Sequence, residues 1–237
     1  MTRRRWIAEE FSDQHAALSG AHADHLVRVL RARVGQEFDI AAGSVVRRGR
    51  IASIQNGRVE FVLGEEVPTT PVPPVTLLLA IFKFDRMEWA IEKCTELGVA
   101  RIVPVIARRT DTHLASASAK RVERWRRIAH QAAEQSRRAI PPETTSPIRF
   151  QEIANLNAAA VRIVLAESEQ QNSLREVLAS TPGREIILAI GPEGGWADEE
   201  LHFFQASGWI PASLGSTILR AETAAITATA IAISEIS

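Results

Sequence analysis

A glycine-rich loop near the end of the sequence, Gly191 to Gly195, is the first candidate for chemistry. It reads GPEGG, follows the apolar run EIILAI, and precedes a helix for which Asp198 is the expected N-cap. Glycines let a backbone approach a ligand closely, and ligands of open α/β sheets bind beyond the carboxyl ends of the strands. Neither GxxxxGK(S/T) nor GxGxxG is present, so the loop is not a phosphate loop. The glycines alone leave open a ligand-binding loop or a tight strand-to-helix turn.

A second stretch, SLGSTILRAETAAITATAIAIS, combines a glycine turn with charged side chains. The stretch starts with a glycine turn at Gly215, and the first turns of the alanine- and threonine-rich helix that follows carry Arg220 and Glu222. A positioned arginine can stabilise developing negative charge, and a carboxylate can accept a proton. The alternative is that the two side chains pair at the surface, where such a pair contributes little.

A local excess of positive charge lies between Arg101 and Arg138. This span holds ten basic residues against three acidic ones. On the expected long helix from about Ala119 to Arg138, helical spacing assigns Trp125 to the core and places Arg124 and Arg127 on another face. Such a patch attracts phosphates and predicts salt-dependent RNA binding, although a solvated charged face would have the same pattern.

Composition excludes several classes of protein. The 237 residues carry 28 basic and 28 acidic side chains, so the net charge of the chain creates no electrostatic attraction for a polyanion. Cys94 is the only cysteine, which excludes an internal disulfide and a cysteine-rich metal site, and the six histidines show no metal-binding spacing. The basic N-terminus has no apolar segment behind it, and no run of about 18 apolar residues occurs. We therefore expect a soluble cytoplasmic protein that binds no metal.

The sequence divides into two parts that differ in their pattern of predicted strands and helices. Up to about Gly64, short β-like runs separated by glycines predict a small antiparallel barrel or sandwich. The proline-rich span EEVPTTPVPP follows as an extended linker. Beyond it, continuous apolar strands alternate with helices, which indicates a parallel sheet covered on both faces. We predict two domains, residues 1–68 and 74–237.

Taken together, IGPEGG and LGSTILRAETA resemble motifs of the SPOUT class of S-adenosylmethionine-dependent RNA methyltransferases, and specifically the RsmE family. The segment TELGVARIVPVIARRT, with Lys83 and Lys93 before it, is similar to a further family block, and AAEQSRRAIPPE to another. HLVRVLRARVG resembles part of the family's PUA-like RNA-binding domain. Three departures from the pattern are Phe84 in place of a glycine, Arg137 in place of a small residue, and FDIAAG in place of an acidic-Gly turn.

The resemblance implies an α/β fold with a deep trefoil knot, a small N-terminal PUA-like β-barrel, and an isologous homodimer formed through the second domain. It implies methylation of N3 of a uridine in 16S ribosomal RNA of the small subunit, with S-adenosylmethionine as cofactor. The cofactor-binding positions carried over are Leu165, Ala166, Glu167, Gly191, Pro192, Glu193, Gly194, Gly195, Leu214, Gly215, Ile218, Leu219 and Arg220.

Catalysis is expected from Arg220 as the charge stabiliser, with Glu222 as the candidate proton acceptor and Glu193 as the less favoured one. The expected RNA-binding residues are Arg28, Arg31, Lys83, Arg109, Arg124, Arg127, Gln135 and Arg138. Two other functions stay open: a SPOUT enzyme that modifies another RNA or atom, such as a ribose 2′-hydroxyl of transfer RNA, and a non-catalytic RNA-binding or ribosome-assembly factor.

Overall fold

The computed structural model describes residues 5–69, 71–169, 171–181 and 185–236. The chain divides into two compact units, the first comprising Met1–Pro71 and Ala133–Pro141, the second Val72–Ala132 and Pro142–Ser237. The first crossing between units falls inside the proline-rich span. The sequence patterns did not predict that the chain returns to the first unit at residues 133–141.

The first unit contains one six-stranded sheet. Its strands are β1 (Arg5–Ile7), β2 (Glu10–Phe11), β3 (His15–Ser19), β4 (Glu37–Ala42), β5 (Val45–Gln55) and β6 (Arg58–Glu66). The order is β1-β4-β5-β6-β3-β2, and every pair is antiparallel except β1 with β4. Helix α1 (Gly20–Asp24) and a π-helical turn (His25–Val29) follow β3. Trp6, Leu18, Leu26, Ile40 and Phe61 are among the buried side chains that pack together.

The second unit is built on a seven-stranded parallel sheet, which confirms the predicted α/β class. Its strands are β7 (Val75–Ala80), β8 (Arg101–Ile106), β9 (Glu143–Thr144), β10 (Ile148–Arg149), β11 (Val161–Leu165), β12 (Ile186–Ile190) and β13 (Ile210–Ala212). The main order is β10-β8-β7-β12-β11-β13, with the two-residue β9 paired to β8. Each pair is parallel.

Helices cover both faces of this sheet, as the continuous apolar strands predict. They are α2 (Phe84–Leu97), α3 (Thr112–Ser118), α4 (Val122–Gln135), α5 (Leu174–Ala179), α6 (Asp198–Ala206) and α7 (Ala221–Ile236), with 3-10 turns at Ala119–Arg121 and Phe150–Asn155. Alternate residues of β7 pack on opposite faces of the sheet. Leu77 and Leu79 contact the cluster that contains residues of α2, α4, α5 and α7, whereas Leu78 belongs to the cluster of Phe150 and Phe204. Across the described residues, the helices are too short or too polar to cross a membrane.

Two predicted helix starts are wrong. The long helix begins at Val122 rather than near Ala119, because the preceding residues form α3 and a 3-10 turn, and it ends at Gln135 rather than Arg138. Asp198 is the first residue of α6, and Ala197 is its N-cap. Glu200 supplies the capping interaction, since its carboxylate accepts the Ala197 N–H at 2.9 Å.

The departures from the family pattern have local consequences in the structure. Phe84 begins α2 and packs edge-on against Trp125, with the Arg121 guanidinium 4.7 Å from the centre of its ring. Arg137 has a φ of 60°, a left-handed conformation that glycine adopts at lower cost. Gly43, with a φ of 64°, lies between β4 and β5.

His22 connects two parts of the first unit through ionic hydrogen bonds. Its Nδ1 lies 2.6 Å from a Glu9 carboxylate oxygen, and its Nε2 lies 3.1 Å from Glu134 in the returning segment. These bonds to Glu134 and Glu9 outweigh partial burial and raise the pKa of His22 to about 10. The histidine is therefore a cation at neutral pH.

Replacing His22 with Gln should remove a pH-dependent contribution to stability. Because the folded-state pKa is raised, this contribution is complete below the unfolded-state value of about 6.5 and disappears as pH rises through about 10. The difference in urea unfolding midpoint between wild type and His22→Gln should therefore be larger at pH 6 than at pH 9.5. An equal difference at both pH values would show that the charge on His22 does not contribute.

Candidate active site

Three predicted loops meet because their strands are neighbours in the sheet. Strand β11 lies between β12 and β13, and all three run parallel. The segments that follow Leu165, Ile190 and Ala212 consequently leave the same edge of the sheet. This edge is formed by carboxyl ends of strands, where ligands of α/β proteins bind.

A cavity of about 610 Å³ lies among these loops, within the second unit. All thirteen positions expected to bind cofactor line it, from Leu165 to Glu167, from Gly191 to Gly195, and from Leu214 to Arg220. The volume falls within the usual range for small-molecule sites. The structure thus brings together residues that are up to 55 positions apart in the sequence.

Several residues that line the cavity were missed by the sequence interpretation, among them Arg86 and Trp196. Trp196 follows the last glycine of the loop directly, a signal that was available in the sequence. Arg86 lies in the first turn of α2, more than 100 residues before the loop, and no local pattern distinguishes it from other surface arginines.

Trp196 links two of the three loops. Its side chain is 5% exposed and packs against Phe150 and Phe204, while its Nε1 donates a hydrogen bond of 3.2 Å to the Leu165 carbonyl. A Cβ at Gly191 would lie 3.3 Å from that indole nitrogen. A side chain at position 191 would therefore press against Trp196, and glycine is favoured at position 195 because the backbone φ there is 68°.

Side chains from neighbouring elements hold the glycine-rich loop. The Arg109 guanidinium donates to the Gly194 carbonyl at 2.7 Å, and Arg86 pairs with Glu193 at 3.2 Å. The buried carboxylate of Glu200 also accepts the Arg108 N–H at 2.8 Å, which connects the start of α6 to the segment after β8. The loop is thus fixed by charge-assisted hydrogen bonds on one side.

Arg220 and Glu222 lie in different environments. Arg220 is exposed, lines the cavity, and makes no side-chain hydrogen bond or ion pair with any residue that the structure describes. Glu222 has a side chain only 3% exposed and is not among the residues that line the cavity. One Glu222 oxygen lies 3.8 Å from the Nε of Arg86, and the other, Oε2, is buried with no partner among the described residues. The two side chains do not pair with each other as the alternative interpretation required.

The eight residues expected to bind RNA divide between the two units. Arg28, Arg31, Gln135 and Arg138 belong to the first unit, and Lys83, Arg109, Arg124 and Arg127 to the second. In the first unit Arg28 pairs with Asp24 at 3.2 Å, Arg31 has a φ of 53°, and burial lowers the pKa of Arg138 to about 10. Gln135 is exposed at the end of α4.

In the second unit the predicted RNA-binding residues differ in how freely they could meet a phosphate. Lys83 and Arg127 are exposed, and Arg127 makes no ion pair with any residue that the structure describes. Both Nε and Nη2 of Arg124 donate to the carboxylate of Glu88, at 2.6 and 2.7 Å, and this hydrogen bonding raises the pKa of Arg124. Arg109 already donates to the Gly194 carbonyl of the glycine-rich loop. Arg127 is therefore better placed for phosphate binding than Arg124 or Arg109.

Comparison with known proteins identifies the family. Residues 68–233 match the RNA methyltransferase domain family. Ribosomal RNA small subunit methyltransferase E of Synechocystis is 34% identical over 91% of this chain and 72% of its own length. The chain belongs to the ribosomal RNA small subunit methyltransferase E family. The Bacillus subtilis member is 29% identical over 88% of this chain and 85% of its own.

Two solved structures share the fold of this chain. Methyltransferase E of Neisseria gonorrhoeae, bound to S-adenosylmethionine, superposes with a TM-score of 0.84 at 28% identity and covers 97% of this chain and 96% of its own. A methyltransferase of Legionella pneumophila, in complex with the same cofactor, has a TM-score of 0.85 at 27% identity and covers 99% and 98%. The family suggested by the two glycine-containing motifs is thereby confirmed.

Proposed function

We propose that this protein transfers a methyl group from S-adenosylmethionine to N3 of a uridine in 16S ribosomal RNA of the small subunit. One observation carries the proposal: three loops of a methyltransferase E fold line a single cavity, and two relatives of this fold are bound to S-adenosylmethionine. When bound, the cofactor supplies an electrophilic methyl group attached to a positively charged sulfur. We place this activity in the cytoplasm, and the proposed chemistry requires no metal.

The residues that line the cavity fit the cofactor. Leu165, Pro192, Leu214 and Leu219 offer apolar walls for an adenine ring, and the glycine-rich loop contributes backbone to the cavity wall. Among the described residues of the wall there is no cysteine, histidine or lysine side chain. A reactive methyl donor would therefore be held away from the strongest protein nucleophiles.

The target nitrogen determines what the charged residues must do. Uracil N3 carries a proton that has to leave before its lone pair can attack the methyl carbon, and negative charge then spreads to the two flanking carbonyl oxygens. Arg220, exposed and unpaired with the described residues, is available to stabilise that charge. Glu222 is the proposed proton acceptor and would act through a water molecule, because its carboxylate is buried outside the cavity wall; Glu193, on the wall, is the alternative.

RNA binding is proposed to use both units. Arg127 and Lys83 supply exposed charge in the second, and Arg28, Arg31, Gln135 and Arg138 supply polar groups in the first, which we interpret as a PUA-like domain. The trefoil knot of the SPOUT class is also proposed here. It is supported by the path of the chain, which leaves β13 beside β11 and returns to form α7 against β7 and β12.

We further propose an isologous homodimer through the second unit. One face of α7 is covered, since Ala225, Ala228 and Ala232 are fully buried within the chain, whereas Ile226 and Ile231 stay partly exposed. What remains is a groove of about 430 Å³ between α2 and α7, lined in part by Ile226 and by Trp89, which is 51% exposed. An exposed tryptophan beside an apolar groove is typical of an interface between copies.

Light scattering at micromolar concentration should give twice the mass of one chain. Trp89→Glu should shift the average mass towards one chain, because it would place an unpaired charge in the interface. Arg127→Ala, which changes an exposed residue of α4, should leave the mass unchanged. A single-chain mass for the wild-type protein would contradict the proposed dimer.

The proposed chemistry is tested by methylating small-subunit RNA and identifying the modified nucleoside by mass spectrometry. The product should be 3-methyluridine. Arg220→Ala should lower the single-turnover rate about 100- to 1,000-fold, with cofactor and RNA affinity nearly unchanged, because Arg220 acts only on charge that appears in the transition state. Arg127→Ala should instead weaken RNA binding and reduce its salt dependence.

Three outcomes of this experiment would change the assignment. Methylation at a ribose hydroxyl or in another RNA would favour a different SPOUT activity. RNA binding without any methyl transfer would favour an assembly factor. Loss of RNA affinity by Arg220→Ala in proportion to its loss of rate would make Arg220 an RNA anchor.

A further inference from the structure

Arg86 lies between two carboxylates that belong to different parts of the candidate active site. Its Nη1 is 3.2 Å from Glu193 in the glycine-rich loop, and its Nε is 3.8 Å from Glu222 in the first turn of α7. No other described residue makes an ion pair with both segments. A planar guanidinium can contact two acceptors at once, which a lysine ammonium does less well.

The burial of Glu222 makes this contact energetically important. Its side chain is 3% exposed, and a carboxylate removed from water is costly unless an opposite charge compensates it. In the described structure, Arg86 is the cation within 4 Å of that carboxylate. Removing Arg86 would leave a buried charge without compensation at the N-terminal turn of the helix that follows Arg220.

The position of Arg86 is itself well fixed. It belongs to α2, whose neighbouring residues Met87, Ala90 and Ile91 are completely buried against the sheet. The side chain is 30% exposed and lines the cavity, so it is held at one end by the core and directed at the loops at the other. Arg109, from the turn after β8, donates to the adjacent Gly194 carbonyl at 2.7 Å.

We propose that Arg86 is a positioning residue, which ties the glycine-rich loop to the first turn of α7 and compensates the charge of Glu222. The inference rests on the proposed function for its purpose: methyl transfer requires donor, acceptor and Arg220 to be held within a fraction of an ångström. Arg86 acts through Glu193 and Glu222 and not by contact with the reacting atoms.

Hydrogen exchange in the protein without cofactor tests directly whether Arg86 connects the glycine-rich loop to the first turn of α7. In Arg86→Met, the Gly195 and Ala224 N–H groups, which are hydrogen-bonded in the structure and report on residues 191–195 and 221–224, should exchange about tenfold faster than in wild type. Arg175→Ala is the matched control, because Arg175 pairs at 3.0 Å with Glu235 at the other end of α7. It should leave both segments unchanged.

A double variant separates the two contacts and remains informative if Arg86→Met folds poorly. In Arg86→Met/Glu222→Gln the buried charge is gone, so protection of residues 221–224 should recover while residues 191–195 stay fast. In calorimetry, S-adenosylmethionine should bind Arg86→Met about tenfold more weakly than it binds Arg175→Ala.

Exchange in Arg86→Met that matches wild type or Arg175→Ala would overturn the proposal, as would a double variant in which the first turn of α7 does not recover. If the wild-type chain binds no S-adenosylmethionine, the proposed function fails, yet the exchange measurements still decide whether Arg86 ties the two segments.

Discussion

The parallel pairing of β11 between β12 and β13 is the constraint on which the site depends. It places the ends of three strands side by side, although the chain forms them at residues 161–165, 186–190 and 210–212. A different neighbour for the three-residue β13 would move the segment with Arg220 away from the glycine-rich loop. Contacts beyond the sheet support this arrangement, since the Ser213 N–H donates to the Asn172 carbonyl at 2.9 Å and the Leu174 N–H to Ser213 at 3.0 Å.

The arginines around the cavity show how one residue type can serve different roles. Arg109 and Arg86 are engaged by acceptors of the protein itself and hold the loop, whereas Arg220 has no partner among the described residues. Only an uncommitted guanidinium can respond to charge that develops on a substrate without first breaking a bond to the protein. The same distinction separates Arg127, which is free among the described residues, from Arg124, which is committed to Glu88.

Local sequence patterns predicted those features that depend on neighbouring residues. The apolar strands alternating with helices indicated a parallel sheet. Gly98 follows α2 directly with a φ of 116°, the conformation typical of a glycine that ends a helix. The helix starts near Val122 and Asp198 were less accurate, because capping there depends on the 3-10 turn before α4 and on Glu200.

Features that depend on contacts between distant residues could not be predicted in this way. Arg86 and Glu193 are 107 positions apart, and Arg124 and Glu88 are 36 apart, so no periodicity connects them. The return of residues 133–141 to the first unit also arises from tertiary packing, in which Ala133 lies against Ile7, Ala41 and Val46. The two glycine-containing motifs were informative because their combination, rather than either alone, is specific to a family.

The central claim is that the loop from Gly191 to Gly195 forms one wall of a cofactor site, and calorimetric titration tests it most directly. Wild-type protein should bind one S-adenosylmethionine per chain. Gly191→Val should bind at least about tenfold more weakly, because a side chain there would displace Trp196 from the Leu165 carbonyl and narrow the cavity. Equal affinity in the two proteins, or no binding by the wild type, would contradict the account.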